Sequence, residues 1–320
     1  MIRRILVPLD GTPFSECAIP YAVAIAKRAQ AVLELVHVHV PKLHDAPAAV
    51  TPYAYQHAPD YSVIADDDEF DAEAHWLEER AARLRETTGL TISAFTVTGH
   101  PAETLCEEVA ALAADLVVMA THARTGIDRL RFPAVADVVV RHAAAPVLLI
   151  PPAEDGTSAQ APTKFRRMLI PLDGSAFSEQ VLPAARTLAF LMGAQPWLLH
   201  VVTPYSPPLR SDPAPGAIGD NPRAGEEYLA GVARAMAGIN GSVVTTTMLD
   251  RRPADAICEA ANDPDVDLVA MATHGRGGLS RLLLGSTGDE VVRHTSKPVL
   301  LFRPSTADAL RDVFDPYSVR

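Results

Sequence analysis

The sequence predicts an α/β protein in which one doubly wound domain, with a five-stranded parallel sheet, occurs twice in tandem. Three observations lead to this prediction. The chain of 320 residues is long for a single hydrophobic core. Long stretches of its first half recur in its second half. Within each half, short apolar runs alternate with patterns of helical period, as expected for strands joined by helical crossovers.

The tandem repeat is clearest in three pairs of segments that keep their order along the chain. The first copies are RRILVPLDGTPFSE at residues 3–16, ADLVVMATH at 114–122 and RHAAAPVLLI at 141–150. The second copies are RRMLIPLDGSAFSE at 166–179, VDLVAMATH at 266–274 and RHTSKPVLLF at 293–302. The offset falls from 163 residues in the first pair to 152 in the other two, so the first half is longer in its middle, in or near a Pro-rich loop.

The repeat also predicts the domain boundaries. We expect one domain over residues 1–152, a linker over 153–164, a second domain over 165–304 and a C-terminal tail over 305–320. The segment PPAEDGTSAQAPTKF between the halves has the composition of a linker.

Apolar runs and helical patterns define the elements of the first half. They predict strands near residues 2–9, 32–40, 91–98, 115–121 and 146–151, and helices near 14–29, 68–88, 102–113 and 134–143. Runs such as ILVPLD and DLVVMA are apolar at almost every position, which is typical of parallel strands covered by helices on both faces. The acidic run at residues 66–69 suits a helix start, where carboxylates complement the helix dipole; a metal or partner site is the alternative.

Composition excludes several classes of function. A formal net charge of −11 argues against nucleic-acid binding, which normally requires a basic surface. No apolar run approaches the roughly 20 residues of a membrane span. The three cysteines have no paired spacing, and the N-terminus enters a strand-like run directly, so we expect a cytoplasmic protein with reduced thiols.

A candidate ligand site lies where the first and fourth strands of the second half should end side by side. In open parallel sheets, ligands bind beyond the carboxyl ends of strands, at the point where the winding direction switches. Asp173 and the loop that opens at Thr273 should meet there, and Gly285 and Ser286 should begin a helix, with Ser286 as its N-cap. Free backbone N–H groups at that helix start could bind an anion, and Gly275 would allow close approach; a glycine-rich turn with an ordinary cap explains the same residues.

The first half differs at these positions. MATHGRGGLSRLLLGS at residues 271–286 aligns without a gap with MATHARTGIDRLRFPA at 119–134. Gly275, Gly285 and Ser286 are thereby replaced by Ala123, Pro133 and Ala134.

Both halves resemble universal stress protein domains, and the resemblance covers nearly the whole chain. The nucleotide-binding members of that family carry G-x-x-G, nine residues and then G-[ST]; the second half matches it at Gly275, Gly285 and Ser286, with Ala272 in place of the first glycine. The resemblance implies Rossmann-like, adenine nucleotide α-hydrolase-like domains, of which the second binds ATP, with Mg²⁺. It further implies that Pro171, Asp173 and Val201 line the adenine and ribose pocket, and that Met271 and Thr287 lie beside the ribose and phosphates.

Other candidate residues admit more than one interpretation. Arg276 could steer phosphates, although Arg124 occupies the same place in the first half, so a surface role is equally open. His37 and His39 could bind a metal with His44; the preferred interpretation makes His37 a strand-end histidine, repeated by His200, and His39 a semi-exposed neighbour. His142 and His294 should close their helices.

The sequence carries no phosphate-binding P-loop, no nucleophile elbow and no catalytic carboxylate pair. We therefore expect no catalytic residue, no resident protein metal site, and a nucleotide-binding regulator of the stress response with at most slow ATP hydrolysis. Two alternatives stay open: a stress protein that binds no nucleotide and acts through protein contacts, and a slow ATPase or phosphotransferase. Because related domains pair through their apolar last strands, we also predict an internal pseudo-dimer across Val147–Ile150 and Val299–Phe302, while a further homodimer is plausible.

Overall fold

The computed structural model describes residues 1–41, 67–121, 134–151, 164–203, 222–238, 242–250, 252–273 and 286–303. The strands in these ranges form one ten-stranded sheet in the order β3-β2-β1-β4-β5-β10-β9-β6-β7-β8. All neighbouring strands that the structure pairs are parallel except β5 and β10, which run antiparallel where the two halves meet. Each half therefore contributes five parallel strands, as the sequence predicts.

The elements have the following bounds. The strands are β1 Arg4–Pro8, β2 Val32–His39, β3 Ile92–Thr98, β4 Leu116–Ala120, β5 Val147–Ile150, β6 Arg167–Pro171, β7 Gln195–Val202, β8 Val244–Leu249, β9 Val266–Ala272 and β10 Val299–Phe302. The α-helices are α1 Pro13–Glu16, α2 Ile19–Ala29, α3 Asp67–Thr88, α4 Pro101–Ala111, α5 Ala134–His142, α6 Leu182–Met192, α7 Pro222–Ala235, α8 Pro253–Ala261 and α9 Ser286–His294.

The predicted strands and three of the four predicted helices of the first half are confirmed to within a few residues. The predicted helix over 14–29 is wrong as a single helix, because it divides into α1 and α2. Pro20 lies in the first turn of α2 and has no N–H to continue the hydrogen-bond ladder of α1. The second half repeats the break, since a 3₁₀ turn at Ser178–Val181 precedes α6, which carries Pro183 in its first turn.

Helices cover both faces of the sheet. One apolar cluster joins the sheet to α2, α3, α6 and α7 through residues such as Ala22, Leu77, Leu188 and Leu229. A second cluster, on the opposite face, joins it to α4, α5, α8 and α9. Both clusters contain residues of both halves, so the two domains share their hydrophobic cores.

The last strands of the two halves form the seam between the domains. Leu300 lies opposite Leu148, and Val299 and Leu301 lie opposite Leu149 and Val147. Leu148 and Leu300 are both buried. The predicted pairing of these two strands is therefore confirmed.

Candidate functional site

The carboxyl ends of β6 and β9 lie side by side in the second half, where the sheet changes its winding direction. Leu169 of β6 pairs with Val269 of β9, and counting on along this register brings Pro171 opposite Met271. The chain leaves β9 at Thr273, whose backbone N–H donates to the carbonyl of Phe302 at 2.8 Å. The predicted switch point between the first and fourth strands is confirmed, and the structure brings Pro171, Met271 and Ala272 to it.

Asp173, two residues beyond β6, is fixed by a hydrogen-bonded turn. Its Oδ1 accepts from the backbone N–H of Ser175 at 2.9 Å and from the Ser175 hydroxyl at 2.6 Å. The Ser175 hydroxyl oxygen in turn accepts from the backbone N–H of Ser178 at 3.1 Å. The surrounding protein raises the pKa of the Asp173 carboxyl by desolvation, but the hydrogen bonds from Ser175 and Ser178 outweigh this effect and lower the pKa below its ordinary value.

The end of β7 forms the other side of this edge. Leu172 donates its backbone N–H to the carbonyl of Leu199 at 2.8 Å, so the chain beyond β6 stays beside β7. The Nδ1–H of His200, which is buried, donates to the carbonyl of Leu172 at 2.8 Å. Val201 follows in β7 and is half-buried, next to the turn that holds Asp173.

Helix α9 begins at the position that the motif predicts. Ser286 is its first described residue, which is consistent with a helix start at Gly285 and Ser286. Thr287 is half-buried in the first turn of α9. Asp289 pairs with Arg293 one turn later, at 2.8 Å. Gly275, Arg276, Gly285 and the side chain of Ser286 lie outside the described residues, as do Ala123, Arg124 and Pro133 in the first half.

The first half repeats the strand-end geometry. Asp10 Oδ1 accepts from the backbone N–H of Thr12 at 2.9 Å and from its hydroxyl at 2.6 Å, as Asp173 does from Ser175. His37 Nδ1–H donates to the carbonyl of Leu9 at 2.8 Å, as His200 does to Leu172. The two halves therefore share the part of the site that follows the first strand, and the prediction of His37 as a strand-end histidine repeated by His200 is confirmed.

The prediction that His39 is semi-exposed is wrong. His39 is buried because α3 covers this end of β2, and its Nδ1 lies 2.7 Å from Oε2 of Glu73. The same carboxylate oxygen lies 3.2 Å from Nε2 of His37. Within the described part of the chain, no group of three or more His, Cys, Asp or Glu side chains is arranged to hold a metal ion. His44 lies outside the described residues.

The histidines and the acidic run at the helix ends stand as predicted. α5 and α9 end at His142 and His294, and the Nδ1–H of His294 donates to the carbonyl of Glu290 at 2.7 Å. α3 starts at Asp67, inside the acidic run.

Sequence reasoning missed the serines that shape the Asp173 turn. Ser175 and Thr12 occupy the same place in the two copies of PLDG-[ST], and their hydroxyls make the same bond to the aspartate. The sequence pattern indicates this turn, because an aspartate whose side chain bonds to the residue two positions later is typical of an Asx-turn.

The fold defines the chain as a tandem, doubly wound α/β protein with a switch point at the carboxyl strand ends of each half. The family model described as "Universal stress protein family" matches residues 1–151 and 164–303. The chain belongs to the universal stress protein family.

Individual relatives agree with this assignment. A universal stress protein of Mycolicibacterium smegmatis is 27% identical over 315 residues, which are 94% of this chain and 97% of that protein. One from Methanocaldococcus jannaschii is 33% identical over 143 residues, 43% of this chain and 82% of that protein. The crystal structure of a universal stress protein from Archaeoglobus fulgidus superimposes with a TM-score of 0.69 at 18% identity and covers 94% of this chain and 98% of that one, which shows a common fold.

No helix in the described ranges is long and apolar enough to cross a membrane.

Proposed function

We propose that this protein is a cytoplasmic, ATP-responsive regulator of the stress response whose second half binds ATP with Mg²⁺ while its first half does not. One observation carries the proposal: the ends of β6 and β9 meet at the switch point with the N-terminus of α9 following the glycine-rich segment. We also propose that the domains have the boundaries expected from the repeat, 1–152 and 165–304.

In this proposal, the adenine and ribose lie against the β6 and β7 ends, next to Pro171, Asp173 and Val201. The phosphates lie between Gly275 and the start of α9, where free N–H groups and the dipole of the helix favour an anion. The path from the ribose to the phosphates is bordered by Met271, Ala272 and Thr287. Arg276 is a candidate for steering the phosphates. Mg²⁺ would neutralise phosphate charge, and no group of this chain is assigned a catalytic step.

The difference between the halves follows from the phosphate contacts. Pro133 removes a backbone donor that Gly285 supplies, and Ala134 removes the hydroxyl of Ser286. Hydrogen bonds to charged groups contribute about 1.5–3 kcal/mol each, so losing two costs roughly 3–6 kcal/mol. That loss corresponds to an affinity lower by about 100-fold to 10,000-fold.

A second candidate function, protein contacts without any nucleotide, rests on Ala272. This residue ends β9, beside Phe302 of β10, where the family motif has a glycine. Its Cβ lies at the entrance to the proposed phosphate loop and could hold the ligand away from the backbone. Ala272→Gly is therefore the change that would restore binding if the natural chain binds nothing.

Titration calorimetry with ATP and Mg²⁺ on the full chain tests the proposal. We expect close to one site per chain. Two equal sites would contradict the asymmetry between the halves, and no binding would favour the protein-contact function, above all if Ala272→Gly then binds. Single-turnover assays with labelled ATP test the enzymatic alternative, and hydrolysis or transfer faster than a slow background would overturn the regulatory assignment.

A further inference from the structure

A cavity of about 140 Å³, partly open to solvent, lies at the seam between the two domains, away from both strand-end sites. Its walls come from both halves of the chain and are mostly apolar. They include Ile2, Leu116 and Pro146 from the first half and Ala184, Leu188 and Leu300 from the second. A ligand here would therefore contact both domains at once.

The internal repeat places an equivalent position on the other side of the seam, and there the space is filled. Phe165 is the repeat equivalent of Ile2, and Tyr21 is the repeat equivalent of Ala184. The rings of Phe165 and Tyr21 lie together with their centroids 6.5 Å apart, and both residues are buried. Two aromatic side chains thus occupy the region whose counterpart is lined by an isoleucine and an alanine.

The charges at the two positions also correspond. Burial raises the pKa of the Tyr21 hydroxyl, and the charges of Cys17 and Asp267 raise it further. Asp115, the repeat equivalent of Asp267, lies in the cavity wall, where its Oδ2 accepts from the backbone N–H groups of Arg3 at 2.7 Å and Arg4 at 3.0 Å. The carboxylate repels anions, and the rest of the wall is mostly apolar, which disfavours the burial of any charge, so the cavity favours an uncharged occupant.

We propose that this cavity binds a small, uncharged aromatic molecule of about one six-membered ring, in the place that the Phe165 and Tyr21 rings fill across the seam. An apolar cavity of about 150 Å³ in another protein accepts benzene, so the volume suits a single ring. The ligand stabilises the folded chain by binding both halves.

Benzene is the probe for this site. At ten times its dissociation constant, we expect it to multiply the folding equilibrium constant by about eleven, measured by urea denaturation. In methyl NMR spectra recorded at increasing benzene concentration, the signals of Ala184, Leu188 and Leu300 should shift until the site is saturated. Their repeat equivalents Ile25 and Leu148 provide the internal control and should not saturate.

Two pairs of variants locate the site. Ile2→Phe with Ala184→Tyr fills the cavity and should abolish the saturable shifts, and Ala184→Leu, a smaller change, should weaken them if the double variant does not fold. Phe165→Ile with Tyr21→Ala opens the equivalent space and should give a second site for benzene. The absence of saturable shifts up to the solubility limit of benzene, or binding that persists in the folded filled variant, would overturn the proposal.

Discussion

At the scale of single residues, the proposed difference between the two halves includes one glycine and one proline that align with each other. Gly285 immediately precedes α9, and Pro133 immediately precedes α5. Only the glycine can offer a backbone N–H at the helix start. We expect Gly285→Pro to lower the affinity of the chain for ATP by at least about tenfold, since one charge-assisted hydrogen bond is lost.

Pro133→Gly is the matched control for this prediction. It restores one donor in the first half but leaves Ala123 and Ala134, so calorimetry should still give one site per chain. Binding that survives Gly285→Pro unchanged would show that α9 does not hold the ligand.

The turn at Asp173 predicts a dependence of stability on pH. Its hydrogen bonds lower the pKa of the carboxyl in the folded chain, despite the opposing effect of desolvation. The folded state therefore binds the proton less tightly than the unfolded state, and the carboxylate stabilises the protein above the ordinary carboxyl pKa of about 4. This contribution is lost as the pH falls through the lowered pKa.

Asp173→Asn keeps the shape of the side chain and removes the titration. We expect the wild-type chain to unfold at a higher urea concentration than the variant at pH 7, with a smaller advantage at pH 3. An advantage that stays the same at both pH values would contradict the role assigned to the charge.

At the scale of elements, the packing of α7 against β7 depends on a glycine that α3 does not have. A Cβ at Gly225 would lie 2.7 Å from Cδ2 of His200, whose ring is buried and bonded to the carbonyl of Leu172. Trp76 contacts His37 edge-on, and Tyr228 contacts His200 in the same way, which aligns Gly225 with Glu73. The first half therefore puts a carboxylate where the second half brings the helix close to the ring.

A pair of alanine substitutions in α7 measures this contact. Gly231 has no neighbouring heavy atom within 4 Å of an added Cβ, so Gly231→Ala should stabilise the chain by about 0.5–1 kcal/mol through helix propensity alone. Gly225→Ala gains the same propensity but must displace the ring. We expect its free energy of unfolding to lie about 1–3 kcal/mol below that of Gly231→Ala, as measured with urea. Equal gains from both substitutions would mean that the helix moves freely away from His200.

At the scale of the whole molecule, the continuous sheet couples the two halves. The two core clusters each contain residues from both domains, and Leu148 meets Leu300 across the seam. We expect a single calorimetric unfolding transition. Truncating either leucine to alanine should cost about 2–5 kcal/mol, because each leaves a cavity in a buried interface.

A double-mutant cycle tests the coupling directly. Leu148→Ala and Leu300→Ala should be non-additive by about 0.5–3 kcal/mol, whereas Leu148→Ala with Leu199→Ala, in a strand remote from the seam, should be additive. Two separate transitions, of which Leu148→Ala shifts only one, would show that the domains unfold independently.

Much of the architecture was predictable because the same sequence pattern occurs in both halves of the chain. The apolar runs and their order predicted the strands, the parallel sheet and its switch point, since these patterns depend on local periodicity and on connections that run in one direction. The division between α1 and α2 was missed, although Pro20 marks it in the sequence. Burial of His39 was not predictable, because the residue that covers it, Glu73, comes from α3, far along the chain.

By itself, the sequence determined the tandem α/β fold and the difference between Gly285 and Pro133, since each is a local pattern or a direct comparison of the two copies. The pairing of the last strands was expected from the family resemblance. Only the tertiary structure decided which side of the seam is filled. Ile2, Phe165, Tyr21 and Ala184 are each unremarkable apolar positions along the chain. The cavity on one side and the filled space on the other form only when α2 and α6 pack around the seam, because the walls of a cavity come from several segments of the chain.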